Sequence, residues 1–252
     1  GGGRQERLLG QWVKQRRVRE QVAIIGKGAH TPDCHPEALT RQLYGSLERL
    51  QTDYVDLYLM HRDNLEVPVG EFVEVINEHV RAGRIRAWGG SNWTLERVNA
   101  ATQYAQSKAL VGPAAVSNNF SLAEMIQPPW GGCLASSDPA SRAWFTERQM
   151  PLLSWSSQAR GFFTDRAGPE KMEDEELVRC WYSEANFGRR ARAYELAAKK
   201  KVEPINIALA YVLAQPFPTF ALIGPRSLAE TTSSFGALEV ALTPEEVRWL
   251  EG

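Results

Sequence analysis

The chain has 252 residues, 43% hydrophobic and 23% charged, a composition that excludes collagen-like, low-complexity and wholly disordered chains. Its 29 Lys and Arg against 30 Asp and Glu leave a formal net charge of −1, which offers no electrostatic footprint for nucleic acid or an anionic membrane. No apolar run reaches the roughly 18 residues of a membrane span. Three cysteines, Cys34, Cys133 and Cys180, make no disulfide framework and point to a reducing, cytoplasmic setting.

In chain order, VAIIGK (22–27) predicts a first strand, and the next segment, 36–50, a helix. Pro36 suits its first position, and Leu39, Leu43, Leu47 and Leu50 share one face. YVDLYLMH (54–61) predicts a strand and 68–82 a helix with Phe72, Val75, Ile76 and Val80 inward, stopped at Gly83. IRAWGGSN (85–92) is followed by a helix over 94–107 that starts at Thr94; PAAVSNN (113–119) and LLSWSS (152–157) are further strands. Pro204 opens a helix with Ile205, Ala208, Leu209 and Val212 in one stripe, and TFALIGP (219–225) is the sixth apolar run. Helices over 227–236 and 243–250 close the pattern, the latter capped by Thr243 with Pro244 behind it. The region 158–190 reads as irregular; its acidic run Glu173-Asp174-Glu175-Glu176 suits a solvated loop, a helix start or a lid over the site.

Near-continuous apolar strands alternating with helices predict a parallel α/β fold, either a barrel or a doubly wound sheet, as one domain over residues 1–252. Function in such folds sits at the carboxyl ends of the strands. Those ends carry Lys27, His61, Ser91 with Asn92, Ser117 to Asn119, Trp155 with Ser156, and Gly224 to Arg226, a polar set for such apolar runs. A lysine and a histidine suit proton transfer, serine and asparagine hold an amide, and a tryptophan face supports a flat ring. Arg226, before a helix start, suits a phosphate. No dinucleotide glycine fingerprint or phosphate loop follows any strand. A rival constellation, His30, Asp33, Cys34 and His35, has residue types that ligate metals, with a polar loop as the plainer reading.

Five segments, LYLMHRDN (57–64), GRIRAWGGSNW (83–93), LLSWSSQARGFF (152–163), INIALAYVLAQPF (205–217) and ALIGPRS (221–227), resemble in order the signatures of the aldo-keto reductase family. The resemblance implies a (β/α)8 TIM barrel, with its last six βα units in this chain, that binds NADPH, or less often NADH, across its carboxyl face. It implies hydride transfer to a small-molecule aldehyde or ketone. Lys27 and His61 match two of the family's four catalytic positions, and Ser91 and Asn92 match the pair that holds the nicotinamide carboxamide. Ser117 stands where a glutamine usually assists, Trp155 where an aromatic ring stacks on the nicotinamide, and Ser156 where the pyrophosphate passes. Gly224, Arg226 and Ser227 match the segment at the adenosine end, with Arg226 placed for a 2′-phosphate. Ser233 and Ser234 stand where an acidic residue and an asparagine commonly contact adenine.

Trp93 and Trp130 are expected to contact substrate, and Trp130, Trp144, Phe162, Phe163 and Trp181 suit either the lining of an apolar pocket or the packing of loops onto the barrel. The family's remaining catalytic aspartate and tyrosine belong to a segment that the opening GGGRQERLLGQWVK resembles the continuation of. They are therefore expected upstream of Gly1, and residues 1–252 alone are expected to have little activity. Two alternatives remain: a cofactor-binding regulatory subunit of the same fold, and a metal-dependent hydrolase using the His30–His35 cluster with His61.

Overall fold

The computed structural model describes residues 2–252, in two compact units that divide between Ser117 and Asn118. The first unit carries α1 (Arg4–Arg16), β1 (Ile25–Gly28), α2 (Pro36–Leu50), β2 (Val55–Met60), α3 (Val69–Arg81), β3 (Ile85–Ser91), α4 (Leu95–Ser107) and β4 (Ala115–Ser117). Its strands pair in parallel in sequence order, with Lys27 opposite Leu59, Leu59 opposite Gly89 and Ser91 opposite Ser117. Tyr58, Leu59, Met60 and Trp88 are fully buried, as expected of parallel strands covered on both faces.

Helix α2 buries Leu39, Leu43, Leu47 and Leu50 as its periodicity predicts. His35 caps it by accepting the Ala38 N–H, and Pro36 occupies the first turn. Thr94 caps α4 by accepting the Arg97 N–H at 3.2 Å. In α3 the buried face is Phe72, Val73, Ile76 and His79, rotated from the expected stripe, so Val75 and Val80 are only half-buried. Helix α1 lies outside the predicted pattern because its apolar residues have no clean stripe. Leu8, Leu9 and Trp12 stay exposed while Gly10 and Val13 are buried. Gly10 is required there: a Cβ would stand 2.4 Å from the Leu50 carbonyl oxygen.

The second unit carries α5 (Pro139–Arg148), β5 (Leu152–Ser154), α6 (Glu175–Trp181), α7 (Glu184–Lys200), α8 (Pro204–Leu213), β6 (Thr219–Ala221), α9 (Leu228–Phe235) and α10 (Pro244–Glu251). Strands β5 and β6 pair in parallel, Leu153 opposite Phe220. Helix α8 is the central element, buried from Asn206 to Val212. The region expected to be irregular contains α6 and the start of α7. The acidic run is a helix start: Asp174 accepts the Leu177 N–H at 3.0 Å, and Glu175 and Glu176 fill the first turn, where the helix dipole favours them. Phe162, Phe163 and Trp181 are fully buried, and Phe162 packs on Phe163, Tyr182 and Phe187. These aromatics are core, not pocket lining, because the helices behind 158–190 give them a closed interior to fill. Among the described residues no helix is long and apolar enough to cross a membrane.

Candidate active site

In the first unit, the strand ends converge on Lys27. Pleating in β1 places its half-buried side chain beside the ends of β3 and β4, with Nζ 3.4 Å from Oγ of both Ser91 and Ser117. Ser91 Oγ donates to the Ser117 carbonyl at 2.9 Å, and the Asn92 N–H donates to the same carbonyl at 3.1 Å. Asn92 adopts a left-handed backbone conformation, φ 56°, and its amide Nδ2 donates to Ser91 Oγ and to the His61 carbonyl. Such conformations are sparse for residues other than glycine and gather at functional sites.

His61 follows β2, its N–H donating to the Gly28 carbonyl at 2.6 Å. Its ring meets that of His30 edge-on, centroids 4.8 Å apart. Burial, reinforced by the charges of Lys27, His30 and Arg62, pushes its pKa down to about 4. The imidazole is therefore neutral near pH 7 and adds no second cation beside the Lys27 ammonium. Arg62 is buried and donates to the His61 carbonyl at 2.9 Å. Sequence reasoning passed over it, because an arginine after a strand carries no signal of burial.

Trp93 is fully buried, and its indole N–H donates to the Arg62 carbonyl at 3.2 Å. In this position it fixes the loop after β2 and offers no surface to a ligand, contrary to the expected substrate contact. The metal-type residues of the rival cluster are engaged in structure: Cys34 S–H reaches the Arg62 carbonyl, burial raises its pKa to about 11, and His35 caps α2. Among the described residues no group of three or more His, Cys, Asp or Glu is arranged around a metal-sized space.

The second unit holds a cleft of about 790 Å³ between the turn after β5 and the start of α9. Ser156, Gly224 and Arg226 line it, while Ser227 sits beside it as the α9 cap, accepting the Glu230 N–H. Its remaining walls include Gln158, Arg160, Arg166, Ile205, Glu230 and Ser234. Arg160, Arg166 and Arg226 present three guanidiniums to the cleft, the first two of them paired with Glu176 and Asp174. The wall after β5 is strained: Ser156, Ala159 and Arg160 all have positive φ, 49°, 45° and 54°. Trp155 is half-buried, fixed through its N–H to Asn118 and its carbonyl to Asn119, and its buried indole N–H has no partner among the described residues. An arginine-lined cleft fits a group that brings phosphates. Trp130 is 57% exposed, with the Arg160 guanidinium 5.7 Å from its ring, and is not part of the cleft wall. Arg160 and Arg166 were missed in sequence because they stand in a segment read as solvated loop.

Comparison with known proteins places these features in context. The model of the "Aldo/keto reductase family" matches residues 1–252. The chain is 26% identical over 260 residues to the uncharacterized oxidoreductase YrpG of Bacillus subtilis, covering 98% of this chain and 77% of that protein. It is 26% identical over 274 residues to aldo-keto reductase yakc [NADP(+)] of Schizosaccharomyces pombe, covering 98% and 74%. Among solved structures it is similar to the thermostable aldo-keto reductase Tm1743, bound to the inhibitor epalrestat, with 25% identity, a TM-score of 0.75, and coverage of 100% and 78%. An aldo/keto reductase of Klebsiella pneumoniae, in complex with NADP and acetate, shares the fold at 22% identity and a TM-score of 0.73, covering 99% and 75%.

Proposed function

The chain belongs to the aldo/keto reductase family, and from that membership we propose that it reduces an aldehyde or ketone to an alcohol with NADPH as cofactor, NADH being the weaker partner. We infer a single reductase domain over residues 1–252, whose six βα units correspond to the later units of the family's eight-stranded barrel. The observation that carries this reading is Lys27, with Nζ 3.4 Å from both Ser91 Oγ and Ser117 Oγ at the strand ends and close enough to His61 to depress its pKa.

The residues present fit the cofactor. In the first unit Ser91, Asn92 and Ser117 offer groups that suit a carboxamide; in the second, Trp155 offers a ring face, and Ser156, Gly224, Arg226 and Ser227 offer contacts that suit phosphates. When bound, the nicotinamide supplies the hydride; the protein supplies placement and protons. Neutral His61 orients the carbonyl oxygen, and the Lys27 ammonium stabilises negative charge developing on it. The two serine hydroxyls accept from Lys27 Nζ and hold it at the strand ends.

A phenol whose pKa is lowered by Lys27 is the family's proton donor, and the buried Tyr58 and Tyr211 do not fill that role. Burial pushes both of their hydroxyls well above the usual phenol range. The test is NADPH consumption over a panel of aromatic and aliphatic aldehydes. NADPH-dependent alcohol formation that is lost in Lys27→Met supports the proposal; turnover that survives Lys27→Met would refute it.

A further inference from the structure

Arg160 and Arg166 both line the second unit's cleft, and both are already held by carboxylates of the acidic run. Arg160 Nε lies 2.5 Å from Glu176 Oε1, and Arg166 Nη2 lies 2.7 Å from Asp174 Oδ2. Arg166 also donates through Nη1 to the Arg160 carbonyl at 3.2 Å. The backbone beneath them is anchored independently. Arg190 of α7 donates to the Phe162 and Thr164 carbonyls at 3.0 and 3.1 Å. The arginine side chains can thus change partner without releasing the loop. The strained φ of Ala159 and Arg160 marks this same wall.

The ion pairs are partly exposed, 38% and 30% for Arg160 and Glu176, 45% and 38% for Arg166 and Asp174. A pair as wetted as Arg166–Asp174 is weak and exchanges readily, while the Glu176 oxygen that meets Arg160 is itself buried. A diphosphate presents more acceptor oxygens and more charge to a guanidinium than a single carboxylate does. Glu173 and Glu175 belong to the same run but hold neither arginine.

We propose that Glu176 and Asp174 act as internal stand-ins for the cofactor's diphosphate, holding Arg160 and Arg166 until the diphosphate displaces them. The acidic run then opposes cofactor binding, and the two arginines are its diphosphate-binding residues. This rests on the reductase reading above.

The test is the NADPH dissociation constant of the intact chain, read by fluorescence titration, for the wild type, D174N/E176Q, E173Q/E175Q and R160Q/R166Q. Asn caps a helix as well as Asp, so D174N preserves the start of α6. D174N/E176Q is expected to bind NADPH roughly fivefold more tightly, from the release of two exposed pairs. R160Q/R166Q is expected to bind it more weakly by a similar factor, and E173Q/E175Q to stay within about twofold. Reduced nicotinamide riboside, which has no diphosphate, is expected to bind all four alike. Equal or weaker NADPH binding by D174N/E176Q would overturn the proposal, since a merely structural clamp loses affinity when broken. An equal gain in E173Q/E175Q would also overturn it. If the wild type binds no NADPH, the reductase reading fails instead. Calorimetry with inorganic pyrophosphate on the same variants then decides the exchange by itself: tighter binding to D174N/E176Q upholds it, and no difference overturns it.

Discussion

Nζ of Lys27, on β1, stands 3.4 Å from Oγ of Ser91, the last residue of β3. Strand pairing produces this approach: Lys27 is opposite Leu59, Leu59 is opposite Gly89, and Ser91 lies two residues further along the same face. The Lys27 ammonium donates to the hydroxyls of both Ser91 and Ser117. Lys27→Met is expected to lower turnover by about 10²-fold or more while cofactor affinity changes little. Steady-state kinetics with a parallel NADPH titration checks this. Loss of affinity in proportion to turnover would make Lys27 a binding residue instead.

The low pKa of His61 has a pH consequence. Its folded value, about 4, lies below the ordinary 6.5, so folding favours the neutral ring. The stability tied to this group is present above pH 6.5 and is lost as pH falls from there toward 4. The charges that face it, Lys27, His30 and Arg62, all work in the same direction. Thermal melts of the wild type are expected to fall across that window, and those of His61→Gln to fall less. Parallel melts in the two proteins would contradict the assignment.

Arg97 clamps the loop that follows His61. Its Nε lies 3.0 Å from Asp63 Oδ2, and Nη2 donates to the Asn64 and Val67 carbonyls at 3.1 and 2.8 Å. Both side chains are nearly buried, and burial pushes the Asp63 carboxyl up against the opposing pull of Arg97. Arg97→Ala leaves that carboxylate buried without its partner, at an expected cost of about 3 kcal/mol. Urea unfolding measures this. Asp63→Asn in the Arg97→Ala background should recover part of the loss, because the uncompensated charge is then gone.

Gly90 makes room for the tryptophan that braces the His61 loop. A Cβ on it would come within 2.5 Å of the Trp93 ring. Gly90→Ala is expected to destabilise by about 1–3 kcal/mol through overpacking. It should also weaken catalysis, since a displaced Trp93 releases the Arg62 carbonyl next to His61. Wild-type stability with wild-type turnover would remove Trp93 from this role.

The elements legible in the sequence were those with strong periods and local caps. Leu39, Leu43, Leu47 and Leu50 announce α2, and Thr243 with Pro244 behind it marks the start of α10, where the structure adds a capping box with Glu246. Strand-end positions in the sequence put Lys27, Ser91 and Ser117 near one another, because parallel strands align their carboxyl ends. What stayed hidden depended on burial and long-range pairing. Arg62 looks like a surface residue until the fold covers it. Trp93 and Trp130 are the same residue type, but one is sealed behind Gly90 and the other lies open. The partners of Arg160 and Arg166 come from a helix start whose charge pattern in sequence resembles any solvated run.

The central claim is that this chain holds a nicotinamide dinucleotide at the residues named, and equilibrium binding tests it most directly. NADPH titrated into residues 1–252 should quench tryptophan fluorescence saturably with 1:1 stoichiometry. The Arg226→Ala variant should bind NADPH more weakly by about tenfold, the loss of one charge-assisted contact. Absence of saturable binding in the wild type, or unchanged affinity in Arg226→Ala together with Ser91→Ala, would contradict the account.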